Sequence, residues 1–516
     1  MKKTKKHLLV LSTAALLTSG LAGCGSSDNA STNNKPEGNK AAQTETNQPA
    51  QTETNQPAQT ETNKPADSSN APTLVWWTIG GQVPANFDKA IAAMNDYTAE
   101  KIGVKIDIKV ASWGEWDTKI NTIVNTGEPF DIMFTNNGKY NQQVNMGAFA
   151  DLTDLVQSES PDLYKLVPQK VWDGTKIDGK IYSVPTYKDS SLTQYWVFDD
   201  TYVQKYGIDT SSIKTLKDLD KPFHDIKAGE GKSFYPLPLT QGDGFNGFFN
   251  GYDDMTLGLA PIGVKVDDAS RKVVSVLEQP DIMDNLKLLH QWYKDGIINP
   301  DAPTKTEGDK AKPFFSAQAF PGAETNWQIS DGVAKYDMFQ IFGPLYTTST
   351  IQGSLNAISA NSKYKKEALK YLQLVNTDPK LRNMLAFGEL GVDYDNVNGE
   401  KVIERKSDTW PLAAYTQGTF FDLAVTKGAP EDQWDQVRKL NDQATSSTSL
   451  GFALNISKLA TEVANTKAVW DKYRYELLTG ASDPETMVPK IVAEMKAAGM
   501  DAITKAAQEQ IDSYFK

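Results

Sequence analysis

Most reaction chemistry is closed to this sequence by its side chains. Its 516 residues hold one cysteine, Cys24, and three histidines, His7, His224 and His290. A single thiol excludes an internal disulfide and a cysteine-based metal site, and three scattered imidazoles make no zinc cluster. No G-x-S-x-G nucleophile turn and no phosphate-binding G-x-x-x-x-G-K-[ST] loop occurs. Gly242–Gly247 fits G-x-G-x-x-G, but Pro236 and Pro238 interrupt the strand that should precede it. Proline cannot donate to a strand ladder, so a Gly-rich loop is expected there. Asp393 to Glu400 spells part of a calcium loop, with Val397 where an oxygen ligand is needed. Asn398-Gly399 between short apolar runs suits a hairpin turn better. Aspartate and glutamate abound, so paired carboxylates for glycoside hydrolysis are available by type, and nothing marks any pair out. No catalytic residue, metal ligand or cofactor is therefore expected.

The aromatic residues are more informative, with 11 Trp and 20 Tyr. A pyranose ring has apolar C–H faces and a rim of hydroxyls. Gripping one takes flat aromatic surfaces beside side chains with two hydrogen-bonding atoms, such as Asp, Asn, Glu and Lys. Which aromatics are free to do this depends on the elements that carry them. Leu74-Val75-Trp76-Trp77 is a short apolar run, hence a buried strand. Phe87, Ile91 and Met94 recur at helical spacing up to Gly103, and Val104–Val110 alternates strictly. Trp116, Ile120 and Ile123 mark a second helix, stopped by Gly127, and Phe130–Phe134 is a third strand. This β-α-β-α-β order implies a parallel sheet with helices on both faces, and ligands of such sheets sit outside the carboxyl ends of the strands. Trp76 and Trp77 come at the end of strand one, so one should face the core and the other, Trp77, a ligand. Trp113 falls in a loop before a helix and is a second candidate, while Trp116 fits that helix's apolar stripe. Asn136 and Asn137 follow strand three. Trp410, before Pro411, is a further candidate. Trp172, Trp292, Trp434 and Trp470 read as core or surface-helix residues.

The first 23 residues form an address. Lys2, Lys3, Lys5 and Lys6 precede an apolar stretch too short to span a bilayer, and Leu21-Ala22-Gly23 precede Cys24. This resembles the bacterial lipobox, in which the cysteine takes a diacylglyceryl group and becomes the mature N-terminus. Residues 24–72 then carry almost no large apolar side chain. The octad QTETNQPA stands at Gln43–Ala50 and Gln51–Ala58, and QTETNKPA at Gln59–Ala66. Such a segment cannot bury enough apolar area to offset ordering entropy, so it is expected to be a disordered tether reaching roughly 40 Å. The net charge of −12 disfavours nucleic acid and anionic lipid as partners.

The order of signals resembles a known family. Asn125–Phe134, Gly147–Leu152, Asp178–Pro185, Trp196–Asp199 and Asn356–Ser362, followed by a helix from Lys365 and Asp378-Pro379, match signposts of extracellular solute-binding proteins of the maltose-binding type. Gly388–Tyr394 looks like the aldouronate-type lipoprotein branch of that family. The match spans most of residues 73–400 and is loose beyond. The resemblance implies a two-lobed α/β periplasmic-binding-protein-like fold of type II, each lobe a mixed sheet flanked by helices, with the ligand cleft between lobes. It divides the chain into lobe one, 73–187 plus about 352–405, and lobe two, 188–351 plus about 406–516. It adds Tyr187, Lys188 and Asp189 beside the hinge, and Glu324, Asn326 and Trp327 on a lobe-two loop, as sugar contacts, with Trp77 and Trp327 stacking from opposite lobes. It implies a monomeric, non-enzymatic subunit of an ABC importer, lipid-anchored on the extracytoplasmic face of the cell membrane, which captures an oligosaccharide and delivers it to permease subunits. A peptide- or polyol-binding protein on the same scaffold, and a cell-surface glycoside hydrolase, are the alternative readings. Five arginines in the chain argue against a polyanionic ligand, since bidentate anion recognition favours Arg.

Overall fold

The computed structural model describes residues 71–516 apart from 243, 255–260 and 408. The expected signal peptide, Cys24 and the octad repeats lie outside the described residues, and the residues described below belong to the unit Lys64–Lys516. No helix among the described residues is long and apolar enough to cross a membrane.

β1 (Thr73–Gly80), α1 (Phe87–Ile102), β2 (Lys105–Ser112), α2 (Trp116–Thr126) and β3 (Ile132–Thr135) follow in the expected order. β1 runs parallel to β2 along its whole length, Thr73 opposite Lys105 and Gly80 opposite Ser112, and parallel to β3 at Trp76 and Trp77. The sheet order is β2-β1-β3, then the strand Leu355–Ile358, antiparallel to β3, then Ser183–Pro185. Growth of the sheet reverses direction at β1, and a crevice opens at such a switch point outside the carboxyl ends. Strand alternation divides β1 between two cores. Leu74 and Trp76 pack with Met94 of α1 and with Leu369, Leu372 and Leu385 of the helices Lys365–Thr377 and Pro379–Phe387. Val75, Trp77 and Ile79 face Trp116, Ile120 and Ile123 of α2. α1 stops where Gly103 turns left-handed, φ 68°, and its N–H closes on the Ala99 carbonyl, a conformation that costs glycine no Cβ clash.

The second lobe is built on the strand Leu192–Asp199, antiparallel to both Phe314–Gln318 and Tyr336–Tyr346, with Thr445–Ser446 at the edge. Trp196 and Phe198 point to one face, against Phe223, Leu289 and Trp292. Tyr195 and Val197 point to the other, against Ala319 and Ala323. A three-stranded sheet (Tyr252–Asp254, Ile262–Lys265, Val273–Ser275) shares a further core with three C-terminal helices, Ala460–Leu478, Pro484–Ala497 and Met500–Tyr514, through Val264, Trp470, Ile491, Met495 and Ile503.

Three segments join the lobes: 186–191, 347–354 and the link from the helix Gln433–Gln443 to Thr445. The expected boundary near 405 is too early. Trp410 and Leu412 complete the first lobe's core, and Leu412 bridges to Gly80. The third crossing therefore comes only after Gln443. Residues Tyr394–Asn398 and Val402–Arg405 form the hairpin expected around Asn398-Gly399. The segment before Gly242 is no central strand; Leu237 makes only an isolated bridge, to Ile298.

Candidate functional site

The carboxyl ends of the three parallel strands share one edge. β1 runs into Gly80-Gly81, β2 into Trp113 and β3 into Asn136-Asn137. Trp113 is 58% exposed, an unusual position for an indole. One face of its ring is backed by Tyr415, with centroids 6.1 Å apart and planes inclined by 29°. Tyr415 in turn meets Phe134 of β3 edge-on, at 6.3 Å and 77°. Burial pushes the Tyr415 hydroxyl up to about 12, so the ring is neutral at any working pH. The three rings make a supported aromatic platform at the mouth of the sheet.

The platform is held from below. β1 and the chain before Tyr415 touch backbone to backbone: Gly81 N–H donates to the Pro411 carbonyl at 2.8 Å. A Cβ on Gly80 would lie 2.4 Å from that same oxygen, so only glycine allows the approach. Ser354 Oγ donates to the Tyr415 carbonyl at 2.6 Å. Asn356 Nδ2 donates to the Thr416 and Gln417 carbonyls, both at 3.0 Å, while its Oδ1 accepts from Trp76 Nε1 at 3.1 Å. Trp76 is thus a core residue that also orients the support.

The residues singled out from sequence fall into separate groups. Trp77 is corrected: β1 continues three residues beyond it, so it stands mid-strand, partly buried, with the Lys119 ammonium 4.6 Å from its ring centroid. Trp410 is corrected too. It is 6% exposed, packs on Phe87 at 5.4 Å, and donates from Nε1 to the Leu385 carbonyl. Asn136 spends its Oδ1 on the Gly138 N–H, in the turn that starts α3 (Tyr140–Asn145); Asn137 beside it is partly exposed. Tyr187 is buried against the edge of Phe421 at 4.7 Å, a structural position. Lys188 and Asp189 pair at 2.6 Å, with side chains only 16% and 17% exposed, and the Lys188 ammonium lies 5.9 Å from the Phe420 ring. In the second lobe Glu324, Asn326 and Trp327 lie on the helix Ala323–Asp331. Asn326 is exposed; Trp327 is partly buried and meets Phe315 edge-on at 5.1 Å. Glu324 keeps one buried carboxylate oxygen without a hydrogen-bond partner. Burial, and then the Glu324 charge, push the nearby Tyr195 hydroxyl up to about 12.

Sequence reasoning missed Tyr415 and Phe134, which complete the Trp113 platform. It also missed Phe320, which reaches from the second lobe to Phe420 and Trp434, at 6.3 and 5.7 Å. Tyr415 sits in a single short turn, Ala414–Thr416, with no periodicity to flag it.

A family model described as bacterial extracellular solute-binding protein matches residues 80–380, more than half of the chain. The chain belongs to this family. A second model, described as a domain of unknown function (DUF3502), matches residues 448–516. A carbohydrate ABC transporter substrate-binding protein of Streptococcus pneumoniae serotype 4 (strain ATCC BAA-334 / TIGR4) is 28% identical over 526 residues, covering 100% of this chain and 99% of the relative. The crystal structure of the N-glycan transport solute binding protein from S. pneumoniae is 26% identical, with a TM-score of 0.76, covering 86% of this chain and 99% of that one. The same protein in complex with Man5GlcNAc is 27% identical, with a TM-score of 0.66, covering 86% and 98%. Membership supports a solute-binding role over a catalytic one.

In a solute-binding protein the crossing segments act as the hinge about which the lobes close. Here the first crossing is clamped by a residue that precedes the third. Asn441 is 1% exposed; its Oδ1 accepts from both Ser191 N–H and Ser191 Oγ, and its Nδ2 donates to the Lys188 carbonyl. Lys170 Nζ reaches the Asn441 carbonyl at 3.0 Å and lies 4.5 Å from the ring of Tyr346, where the second crossing begins. The salt-bridged Lys188–Asp189 pair sits directly on this clamp.

Proposed function

We propose that this solute-binding protein captures an extracellular oligosaccharide between its lobes and delivers it to the permease of an ABC importer, without chemical change to the sugar. The observation that carries the reading is Trp113: a mostly exposed indole, backed by Tyr415, at the carboxyl end of β2. Leaving a Trp in water forgoes the burial that drives folding, and a rigid flat ring at a ligand mouth regains it against the C–H face of a sugar. Asn137, Lys188 and Asp189 are the polar groups offered to sugar hydroxyls on the first lobe and hinge, and Asn326 and Trp327 those of the second. The relative solved with Man1GlcNAc and Man5GlcNAc makes mannose-bearing N-glycan fragments the first ligands to try. Calorimetric titration with Man5GlcNAc and other oligosaccharides tests the reading. Binding with the sugar recovered intact is expected; a preference for a peptide or polyol over every oligosaccharide, or shortened products, would overturn it.

The protein acts from the membrane surface, held by a lipid on Cys24. The support is the sole cysteine placed after Leu21-Ala22-Gly23, followed by a polar, proline-bearing stretch. Stable anchoring takes more than one acyl chain, which a diacylglyceryl cysteine supplies. Cys24→Ser should move the protein from the membrane fraction into the medium; a variant retained on the membrane to the wild-type extent would refute the anchor.

A further inference from the structure

The lower half of the platform hangs on one fully buried cation. Arg382, on the helix Pro379–Phe387, has no exposed surface. Its Nε donates to the Thr419 carbonyl at 2.7 Å and Nη1 to Gln417 Oε1 at 2.6 Å. Its Nη2 donates to the Ala414 carbonyl at 2.6 Å and to the Gly418 carbonyl at 3.3 Å. Gln417 is tied back to the same helix, donating from Nε2 to the Leu385 carbonyl at 3.1 Å, and Asn376 Oδ1 accepts from Thr419 N–H at 2.7 Å. Removing a charge from water is costly, and apolar replacements of buried ionic groups often leave a fold as stable or more so. Stability alone is therefore a weak reason for a guanidinium here. What this group supplies is geometry: a planar fork fixes several acceptors at set angles, which a lysine's single ammonium cannot do. The acceptors run from Ala414 to Thr419 and bracket Tyr415.

The geometry points to Arg382 as a positioning residue for the sugar-stacking surface: it holds the turn 414–419 so that the Tyr415 ring lies beneath Trp113. The inference rests on the binding reading above. Arg382 touches no ligand and acts through Tyr415.

The test uses Arg382→Lys, which keeps the charge and loses the fork, beside Tyr415→Ala and the double variant. Near-ultraviolet circular dichroism of the ligand-free proteins, each differenced against its Trp113→Phe counterpart, isolates the Trp113 signal. Arg382→Lys should lose that signal as fully as Tyr415→Ala does. Titration with Man5GlcNAc then gives a cycle. Each single variant should bind roughly tenfold more weakly, and the double no more than about twofold below the weaker single, because residues acting through one contact are not additive. A wild-type Trp113 signal in Arg382→Lys, or losses that add, would overturn the inference while leaving the binding site in place. Unchanged affinity in Tyr415→Ala would remove the platform from the binding reading and this inference with it. If Arg382→Lys fails to fold, Gln417→Leu, which removes the acceptor of Nη1 together with the Gln417 donation to the Leu385 carbonyl, takes its place in both measurements.

Discussion

Trp113 and Trp410 are both tryptophans next to a turn, and their surroundings give them opposite roles. Trp113 follows the last residue of β2 and keeps 58% of its surface in water. Trp410 is closed in by Phe87 and spends its N–H on the Leu385 carbonyl. Removing a buried indole leaves a cavity, so Trp410→Ala should cost about 3–5 kcal/mol of stability. It should leave the affinity of the folded fraction close to wild type. Denaturant melts paired with titration check this; a variant of normal stability with lost binding would return Trp410 to the site. Trp77 shows why the sequence could not sort these residues. Adjacent strand residues point to opposite faces, so one of Trp76 and Trp77 had to leave the first core. Leaving that core did not mean reaching a cleft, because α2 covers the other face and Lys119 sits over the ring.

Elements were legible where a period runs long enough to be counted. The alternation at Val104–Val110 and the helical spacing from Phe87 correspond to β2 and α1, and the stop at Gly103 is a left-handed cap. The stretch from 406 to 443 was illegible for the converse reason. It holds one α-helix, a two-residue strand and short turns, and its place is set by long-range bonds such as Arg382 to Thr419 and Asn441 to Ser191. No local pattern encodes a partner 37 or 250 residues away. That is why sequence alone sets the lobe boundary too early and gives no sign of Tyr415. The Asn441 clamp gives this scale its prediction. Asn441→Leu would strand the Ser191 N–H and the Lys188 carbonyl in a buried hinge, at about 1–3 kcal/mol for each orphaned group. A lowered midpoint in chemical denaturation is expected; an unchanged midpoint would show that the clamp is not a stabilising part of the hinge.

At the scale of the molecule, the two lobes share a hinge of three crossings and carry different aromatic groups. The first carries Trp113 backed by Tyr415 and the buried Phe134; the second carries the helix Ala323–Asp331 with Asn326 and Trp327. A ligand that touches both favours the closed arrangement by the contacts available only there. The C-terminal helices, matched by the domain of unknown function, share their core with the strands Ile262–Lys265 and Val273–Ser275 and so belong to the second lobe's body. The central claim is that a stacked tryptophan at the end of β2 grips an oligosaccharide. The measurement that tests it most directly is calorimetric titration of Man5GlcNAc into the wild-type protein and Trp113→Ala side by side. The expected result is binding by the wild type and a loss of about 2 kcal/mol, roughly 30-fold, in the variant, with no change in melting temperature. Equal affinity in the two proteins would contradict it.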